Sequence, residues 1–212
     1  MLRYAYLHGF SSGPNATKGT WLANSFGKRG VTLALPDLNS PSFAKMTLTD
    51  ILDTLDEMDR QAAIHDRWRF IGSSLGGYVA ALWSAMHPGR CDRLVLLCPA
   101  FGLQDRWHSL VGQVALDQWK KEGRLLLADA NGDKVPVHYE LVEDMARYPK
   151  SPATGCPTLI IHGTRDDLVP IEQSRRYVMD NPDTRLIEVD DDHLLRDSIE
   201  LIDQEAARFF AI

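Results

Sequence analysis

The sequence is poor in cysteine, has no block of like charge, and contains no long apolar run. Each absence excludes something. Its three cysteines, Cys91, Cys98 and Cys156, are odd in number, lack CxxC spacing and sit beside apolar runs or prolines. That pattern reads as reduced thiols in a cytosolic setting, not as a disulfide framework or a thiolate metal site. Lys and Arg are scattered and the net charge is −6, which argues against nucleic acid or an anionic membrane surface as the main partner. A small molecule is the expected partner. No stretch approaches the roughly 20 apolar residues that span a bilayer, so no stable membrane insertion is expected. The opening "MLRYAYLHGF" runs directly into Gly and Ser, unlike a signal peptide. A soluble cytoplasmic protein follows as the expectation. Repeats and low-complexity segments are also missing.

What is present is enough apolar material for one core. At 212 residues, 44% hydrophobic and 25% charged, the chain fits a single globular domain spanning 1–212. Short β-rich runs alternate with longer helical patterns. The runs are Leu2 to His8, Val31 to Pro36, Trp68 to Gly72, Arg93 to Pro99, Thr158 to Gly163 and Arg185 to Asp190. Several are almost continuously apolar, as expected of strands covered on both faces of a parallel sheet. Helical patterns fall at Lys18 to Lys28, Leu75 to Met86, Ile171 to Met179 and Ser198 to Phe210. Another places Leu48, Ile51, Leu52, Leu55, Met58 and Ala62 at i, i+3, i+4 spacing. The alternation predicts a doubly wound, mainly parallel α/β sheet of about six strands, with ligands gathering at the carboxyl ends of the strands.

The loops after the strands therefore carry the search for chemistry. "FIGSSLGGYVAAL" places Gly72, Ser74 and Gly76 in GxSxG spacing between a strand and a helix, the context of a nucleophile elbow. Small neighbours allow the backbone to pass closely while the hydroxyl projects into a cleft. The same frame around Ser73 would require glycines where Ile71 and Leu75 stand, so Ser74 is the candidate nucleophile. A serine hydroxyl needs a base, and the base needs an orienting carboxylate. "IIHGTRDDLVP" offers Asp166 or Asp167 at a strand end, and "EVDDDHLL" offers His193 beyond the next strand. That is the chain order of a nucleophile elbow: Ser, then acid, then His. His162 precedes the acid and abuts a glycine, which suits a structural turn. His65, His87, His108 and His138 lie in helical or insertion segments. The cluster Asp190, Asp191 and Asp192 reads as a solvated loop that could tune His193. Charge developing on an attacked carbonyl requires preorganised donors. "LHGFSSG" after the first strand lets the backbone N-H of Phe10 pair with that of Leu75, with Gly9 permitting close approach. Ser11 and Ser12 are further lining candidates.

"YLHGFSSGP", "GSSLGGYVA", "HGTRDDLVP" and "DDHLL" together resemble the motifs of the α/β-hydrolase superfamily, and the first two resemble the small bacterial YqiA-type esterases. The resemblance implies an α/β-hydrolase fold from the first strand to the last helix, with the triad acid at Asp166 and the base at His193. Two features depart from the usual pattern. The histidine stands in "DDDH" instead of a glycine-rich setting, and the segment 101–155 has no clear counterpart. That segment reads as a small cap-like insertion. Its Phe101, Leu103, Trp107, Leu110, Val111, Val114 and Trp119 would either wall the cleft or pack onto the core, and "LLLADANGDKVPVHYE" forms a hairpin turning at Asn131 and Gly132.

The expectation is a serine hydrolase acting on a small-molecule carboxylic ester or thioester through Ser74, His193 and Asp166. A peptidase or amidase on the same triad is the alternative within enzymes, and a non-catalytic ligand-binding protein is the alternative outside them. No metal or organic cofactor is implied, because no His/Cys/carboxylate cluster shows ligand spacing in the sequence. The oligomeric state is left open.

Overall fold

In the computed structural model, which describes residues 1–212, the centre of the molecule is the strand β3, Arg67–Ser73. Trp68 to Gly72 are all buried, with the apolar Trp68, Phe70 and Ile71 facing the two sides of the sheet in alternation and Arg69 buried against Asp92. Six strands, β1 Leu2–Leu7, β2 Leu33–Ala34, β3, β4 Cys91–Leu97, β7 Thr158–Gly163 and β8 Thr184–Val189, form one sheet in the order β2-β1-β3-β4-β7-β8. All pairs are parallel. The register aligns Leu7 with Gly72, Ser73 with Leu97, and Leu97 with Ile161. The carboxyl ends of β1, β3, β4 and β7 therefore finish along one edge. A separate antiparallel hairpin joins β5 Arg124–Ala128 to β6 Lys134–His138.

Strand alternation divides the interior into two layers. On one face Tyr6, Ile71, Val95, Leu97 and Ile161 meet α1 (Thr17–Lys28) and α8 (Ile199–Phe210) in a cluster of 15 buried residues. On the other, Phe70, Leu94, Leu96 and Ile160 meet α2 (Leu48–Arg60) and α3 (Leu75–Met86) in a cluster of 33. The second layer is larger because the segment after β4 adds to it. In α2, Leu48, Ile51, Leu52 and Leu55 are buried, as their spacing predicts, and Met58 packs at the margin, while Ala62, expected on the same face, lies beyond the helix end at Arg60 and still packs at the margin. A reciprocal cap starts this helix. Thr47 Oγ1 accepts from Asp50 N-H at 3.1 Å, and Asp50 Oδ2 accepts from Thr47 N-H at 2.9 Å, an arrangement whose loss costs about 1 kcal/mol.

Two local expectations differ from what is found. The run Val31 to Pro36 contributes only Leu33 and Ala34 to the sheet. It is an edge strand entered through Gly30 at φ +75°, and Pro36 has no N-H to extend the ladder. The hairpin turn also spreads beyond Asn131 and Gly132 to the five residues between Ala128 and Lys134. Asp129 Oδ1 organises it by accepting from the N-H groups of Asn131 and Asp133 at 2.8 and 3.0 Å.

The segment 101–155 also contains a short 3-10 turn (Leu103–Asp105), α4 (Trp107–Val111), α5 (Gln113–Glu122) and α6 (Glu140–Met145). Its apolar residues divide between the two expected roles. Phe101 stacks on Tyr177 of α7 (Glu172–Asp180) with ring centroids 4.3 Å apart, and the buried Trp119 donates to the Val137 carbonyl at 2.8 Å. Both belong to the core. Leu103, Trp107 and Leu110 line the cleft beside the sheet edge, Val111 packs at the core margin, and Val114 is 82% exposed. No helix is long and apolar enough to cross a membrane.

Candidate active site

Ser74 stands between the last residue of β3 and the first of α3, at φ 54° and ψ −115°. A non-glycine residue is strained there by about 1–3 kcal/mol. Four backbone hydrogen bonds hold it: its N-H donates to Leu97 at 2.8 Å, and its carbonyl accepts from Gly77, Tyr78 and Ala100. The flanking glycines have a steric cause. A Cβ on Gly72 would strike the Gly76 carbonyl, and one on Gly76 would strike the carbonyls of Leu7 and His8. The turn can pass between β1 and α3 only with hydrogen at both positions.

His193 reaches this serine from the loop after β8. Its Nε2 lies 3.0 Å from Ser74 Oγ and its Nδ1 lies 2.7 Å from Asp166 Oδ2. The loop is tied down by the buried Asp191, whose Oδ2 accepts from the N-H and hydroxyl of Ser198 at 2.9 and 2.8 Å. Asp190 is exposed and pairs with Arg165 at 2.9 Å, while Asp192 Oδ1 accepts from Leu194 N-H. Of the acidic trio, Asp191 shapes the loop.

Asp166 follows β7 with its carboxyl shielded from solvent. Oδ1 accepts from the N-H groups of Leu168 and Val169 at 3.0 and 2.7 Å. Burial alone would raise its pKa, but hydrogen bonds from His162 and His193 outweigh it, and the carboxyl is held well below the usual carboxylate range. An ionised Asp166 can only accept, so it fixes the Nδ1-H tautomer of His193 and turns the Nε2 lone pair toward the Ser74 hydroxyl. Asp167 is exposed and has no ion-pair partner. Of the two acids, Asp166 is the one whose carboxyl contacts the histidine.

Gly9 brings the loop after β1 against the same serine, where a Cβ would lie 3.3 Å from both Ser74 Cβ and the Ser73 carbonyl. The Phe10 N-H has no backbone or side-chain acceptor. Leu75 is the first residue of α3, so its N-H has no acceptor within the helix. His8, a residue the sequence reading passed over, positions this loop. Its Nε2 accepts from Leu38 N-H at 3.0 Å, which leaves Nδ1-H to donate to the Gly9 carbonyl at 2.9 Å. Because the peptide is planar and trans, fixing the Gly9 carbonyl also fixes the direction of the Phe10 N-H. Burial pushes the His8 pKa down, keeping the neutral tautomer this pair of bonds requires. The only sequence signal for it is its place immediately before Gly9 at the end of β1.

His162, expected at a structural turn, instead lies within β7 just before its last residue and is fully buried, with Nδ1 2.7 Å from Ser174 Oγ and Nε2 2.9 Å from the Val169 carbonyl. It also lies 3.2 Å from Asp166 Oδ2. His65, His87, His108 and His138 are absent from the cleft. Cys98, Asp166 and His193 do bring potential ligand atoms within 4.8 Å of one another, a cluster contributed by three separate loops and hence invisible as sequence spacing. Burial, reinforced by the charge of Asp166, pushes the Cys98 thiol far above its ordinary range.

The cleft over Ser74 and His193 measures about 900 Å³, with 14 hydrophobic residues among the 24 that line it. Phe10, Leu103, Trp107, Leu110, Leu168 and Ile199 make much of the wall, and Ser11 and Ser12 contribute to it as expected. Such a volume and lining suit a small organic ligand.

Similar folds occur in solved structures. Alpha/beta hydrolase domain-containing protein 10 from mouse superposes with a TM-score of 0.80 at 19% identity, over 98% of this chain and 89% of that one. Est1E from Butyrivibrio proteoclasticus, bound to ferulic acid, gives 0.78 at 20% identity over 99% and 88%. A pyrethroid hydrolase from Sphingobium faniae gives 0.70 at 14% identity over 99% and 97%. At these identities the likeness establishes the α/β-hydrolase fold. Residues 3–210 match the profile of the uncharacterised protein family UPF0227, and the chain belongs to that family, on an α/β-hydrolase fold.

Proposed function

We propose that this protein is a serine hydrolase that cleaves carboxylic esters or thioesters. The observation that carries the reading is the unbroken hydrogen-bonded series from Ser74 through His193, both in the cleft wall, to the buried carboxyl of Asp166 behind them. Ser74 Oγ attacks the acyl carbonyl as His193 Nε2 takes its proton. Asp166 holds the ring and stabilises the imidazolium that forms. The carbonyl oxygen becomes an oxyanion received by the N-H groups of Phe10 and Leu75, which have no competing partners to surrender. His193 then passes its proton to the departing alcohol or thiol, leaving an acyl group on Ser74. A water molecule, deprotonated by the same histidine, releases the acid and restores the serine. The segment 101–155 acts as a small cap in this reading, because Leu103, Trp107 and Leu110 present apolar surface to the acyl group.

Initial rates with p-nitrophenyl acetate, butyrate, octanoate and palmitate, run with wild type and Ser74→Ala, test the proposal. Turnover that disappears in the variant supports it, and the best chain length reports the depth of the cleft. Equal activity in both proteins would remove Ser74 from the chemistry.

A further inference from the structure

The charged residues that line the cleft are all of one sign. Lys18, Arg106 and Arg196 belong to its wall, and no aspartate or glutamate does, in a chain whose net charge is −6. Elsewhere other arginines hold carboxylates. Arg29 meets Asp203 at 2.6 Å, Arg69 meets Asp92 at 2.7 Å, and Arg90 meets Asp59 at 2.5 Å.

Arg106 does not. Its Nη1 donates to the Leu168 carbonyl at 2.7 Å, which fixes the guanidinium against the loop that carries Asp166. Its Nε and Nη2 are buried without any partner. The adjacent Trp107 is 2% exposed, and its indole N-H also lacks an acceptor. A sheltered donor without an acceptor destabilises the fold, and more so when charged. Of the five buried side-chain atoms without a partner, these three are donors and none of them can accept, while the other two, Gln104 Oε1 and Thr184 Oγ1, belong to residues outside the cleft wall. Asp166 attracts Arg106 through space, but its oxygens are already occupied by His193 and the N-H groups of Leu168 and Val169. Lys18 enters the same cleft from α1, with the Ser73 hydroxyl 3.4 Å away as its only hydrogen-bond partner. The missing counterpart is a group with acceptor oxygens and negative charge. The Nε and Nη2 edge of a guanidinium presents two parallel N-H bonds, the spacing that a carboxylate fills with both oxygens.

We propose that the cleft selects esters or thioesters carrying a second, free carboxylate, and that Arg106 is the residue that recognises it. This specificity rests on the hydrolase reading above. Lys18 adds positive charge to the same space, and the Trp107 N-H adds a neutral donor. The apolar wall accommodates the carbon chain between the carboxylate and the scissile bond, so the substrate class is a monoester or monothioester of a dicarboxylic acid.

The test compares kcat/KM for mono-p-nitrophenyl adipate with that for its neutral counterpart, methyl p-nitrophenyl adipate, in wild type, Arg106→Gln and Arg106→Lys. Wild type should favour the acid, and Arg106→Gln should reduce that preference by about tenfold or more, chiefly through KM, with part of it restored by lysine. A wild-type preference for the neutral ester, or an equal loss on both esters in Arg106→Gln, would overturn the assignment. Calorimetric titration of Ser74→Ala with monomethyl adipate and dimethyl adipate, with and without Arg106→Gln, reads the same recognition without turnover. Preferential binding of the anion that Arg106→Gln abolishes supports the carboxylate site even if neither ester is hydrolysed, in which case only the hydrolase reading falls. Turnover of both esters without preference, together with equal binding, would reject the carboxylate site and leave the hydrolase reading standing.

Discussion

His162 Nε2 lies 3.2 Å from Asp166 Oδ2, the same oxygen that His193 approaches at 2.7 Å from the other side. One buried carboxylate thus serves two imidazoles, one structural and one at the cleft. With the Ser174 hydroxyl at its Nδ1, His162 carries its proton on Nε2 and directs it toward Asp166 and the Val169 carbonyl. The consequence is a carboxylate that cannot rotate away when His193 becomes charged.

Replacing Asp166 should therefore damage turnover far more than replacing its neighbour. Asp166→Asn offers His193 an amide in place of an acceptor and disfavours the Nδ1-H tautomer, so kcat on p-nitrophenyl butyrate should fall on the order of 10³ to 10⁴-fold. Asp167→Asn alters an exposed side chain without an ion-pair partner and should stay within about twofold. Similar losses in the two variants would contradict the placement of the acid.

The same carboxylate predicts a pH dependence of stability. Its folded pKa is depressed, principally because the hydrogen bonds from His162 and His193 outweigh burial. The folded form therefore binds fewer protons than the unfolded one, and stability rises with pH through this interval. The contribution is complete above the unfolded carboxylate value of about 3.9 and is lost as pH falls from there through the folded value. Asp66 and Asp191, also depressed, add slope in the same direction. Melting temperatures measured between pH 5 and pH 2 should fall more steeply for wild type than for Asp166→Asn; parallel curves would show that Asp166 contributes nothing to acid sensitivity.

Much of this site was legible because its parts are local. GxSxG fixes a strand, a turn and a helix within five residues, and the reason is steric: the Gly72 and Gly76 positions face backbone carbonyls. The order Ser, acid, His follows from strand order in the sheet. What escaped was side-chain partnership across loops. His8 gave no signal because its role is to hold a neighbouring carbonyl, and Arg106 gave none because what distinguishes it is the lack of a partner. The split in 101–155 escaped too, since Trp107 and Trp119 look alike in sequence and are both buried in the core, yet only Trp107 also borders the cleft, while Trp119 donates to Val137.

Strain at Ser74 should reverse an ordinary stability ranking. Alanine keeps the Cβ that is unfavourable at φ 54°, whereas glycine adopts that backbone freely. Both variants lose the contact with His193. Ser74→Gly should consequently be more stable than Ser74→Ala by about 1 kcal/mol, a difference of roughly 2–4 °C in melting temperature for a chain of this size. The usual order, with alanine more stable, would mean that the elbow is relaxed.

Lys18 supplies the clearest conflict between stability and ligand recognition. Burial is the largest influence on its ammonium and lowers its pKa from the ordinary value to about 8, against the opposing attraction of the carboxylates Asp191, Asp192 and Asp166. Between pH 8 and about 10.4 the unfolded chain keeps this proton while the folded chain releases it, so the lysine's destabilising effect shrinks as pH rises through that window. Lys18→Met preserves the length of the stem and removes the charge. It should raise stability at pH 7 by about 1–3 kcal/mol, several degrees in melting temperature, with the gain narrowing toward pH 10. The same substitution should weaken binding of a carboxylate-bearing ligand to the cleft. A variant that is no more stable at pH 7, or whose gain does not change with pH, would show that the ammonium is well solvated and leave Arg106 as the principal cation of the site.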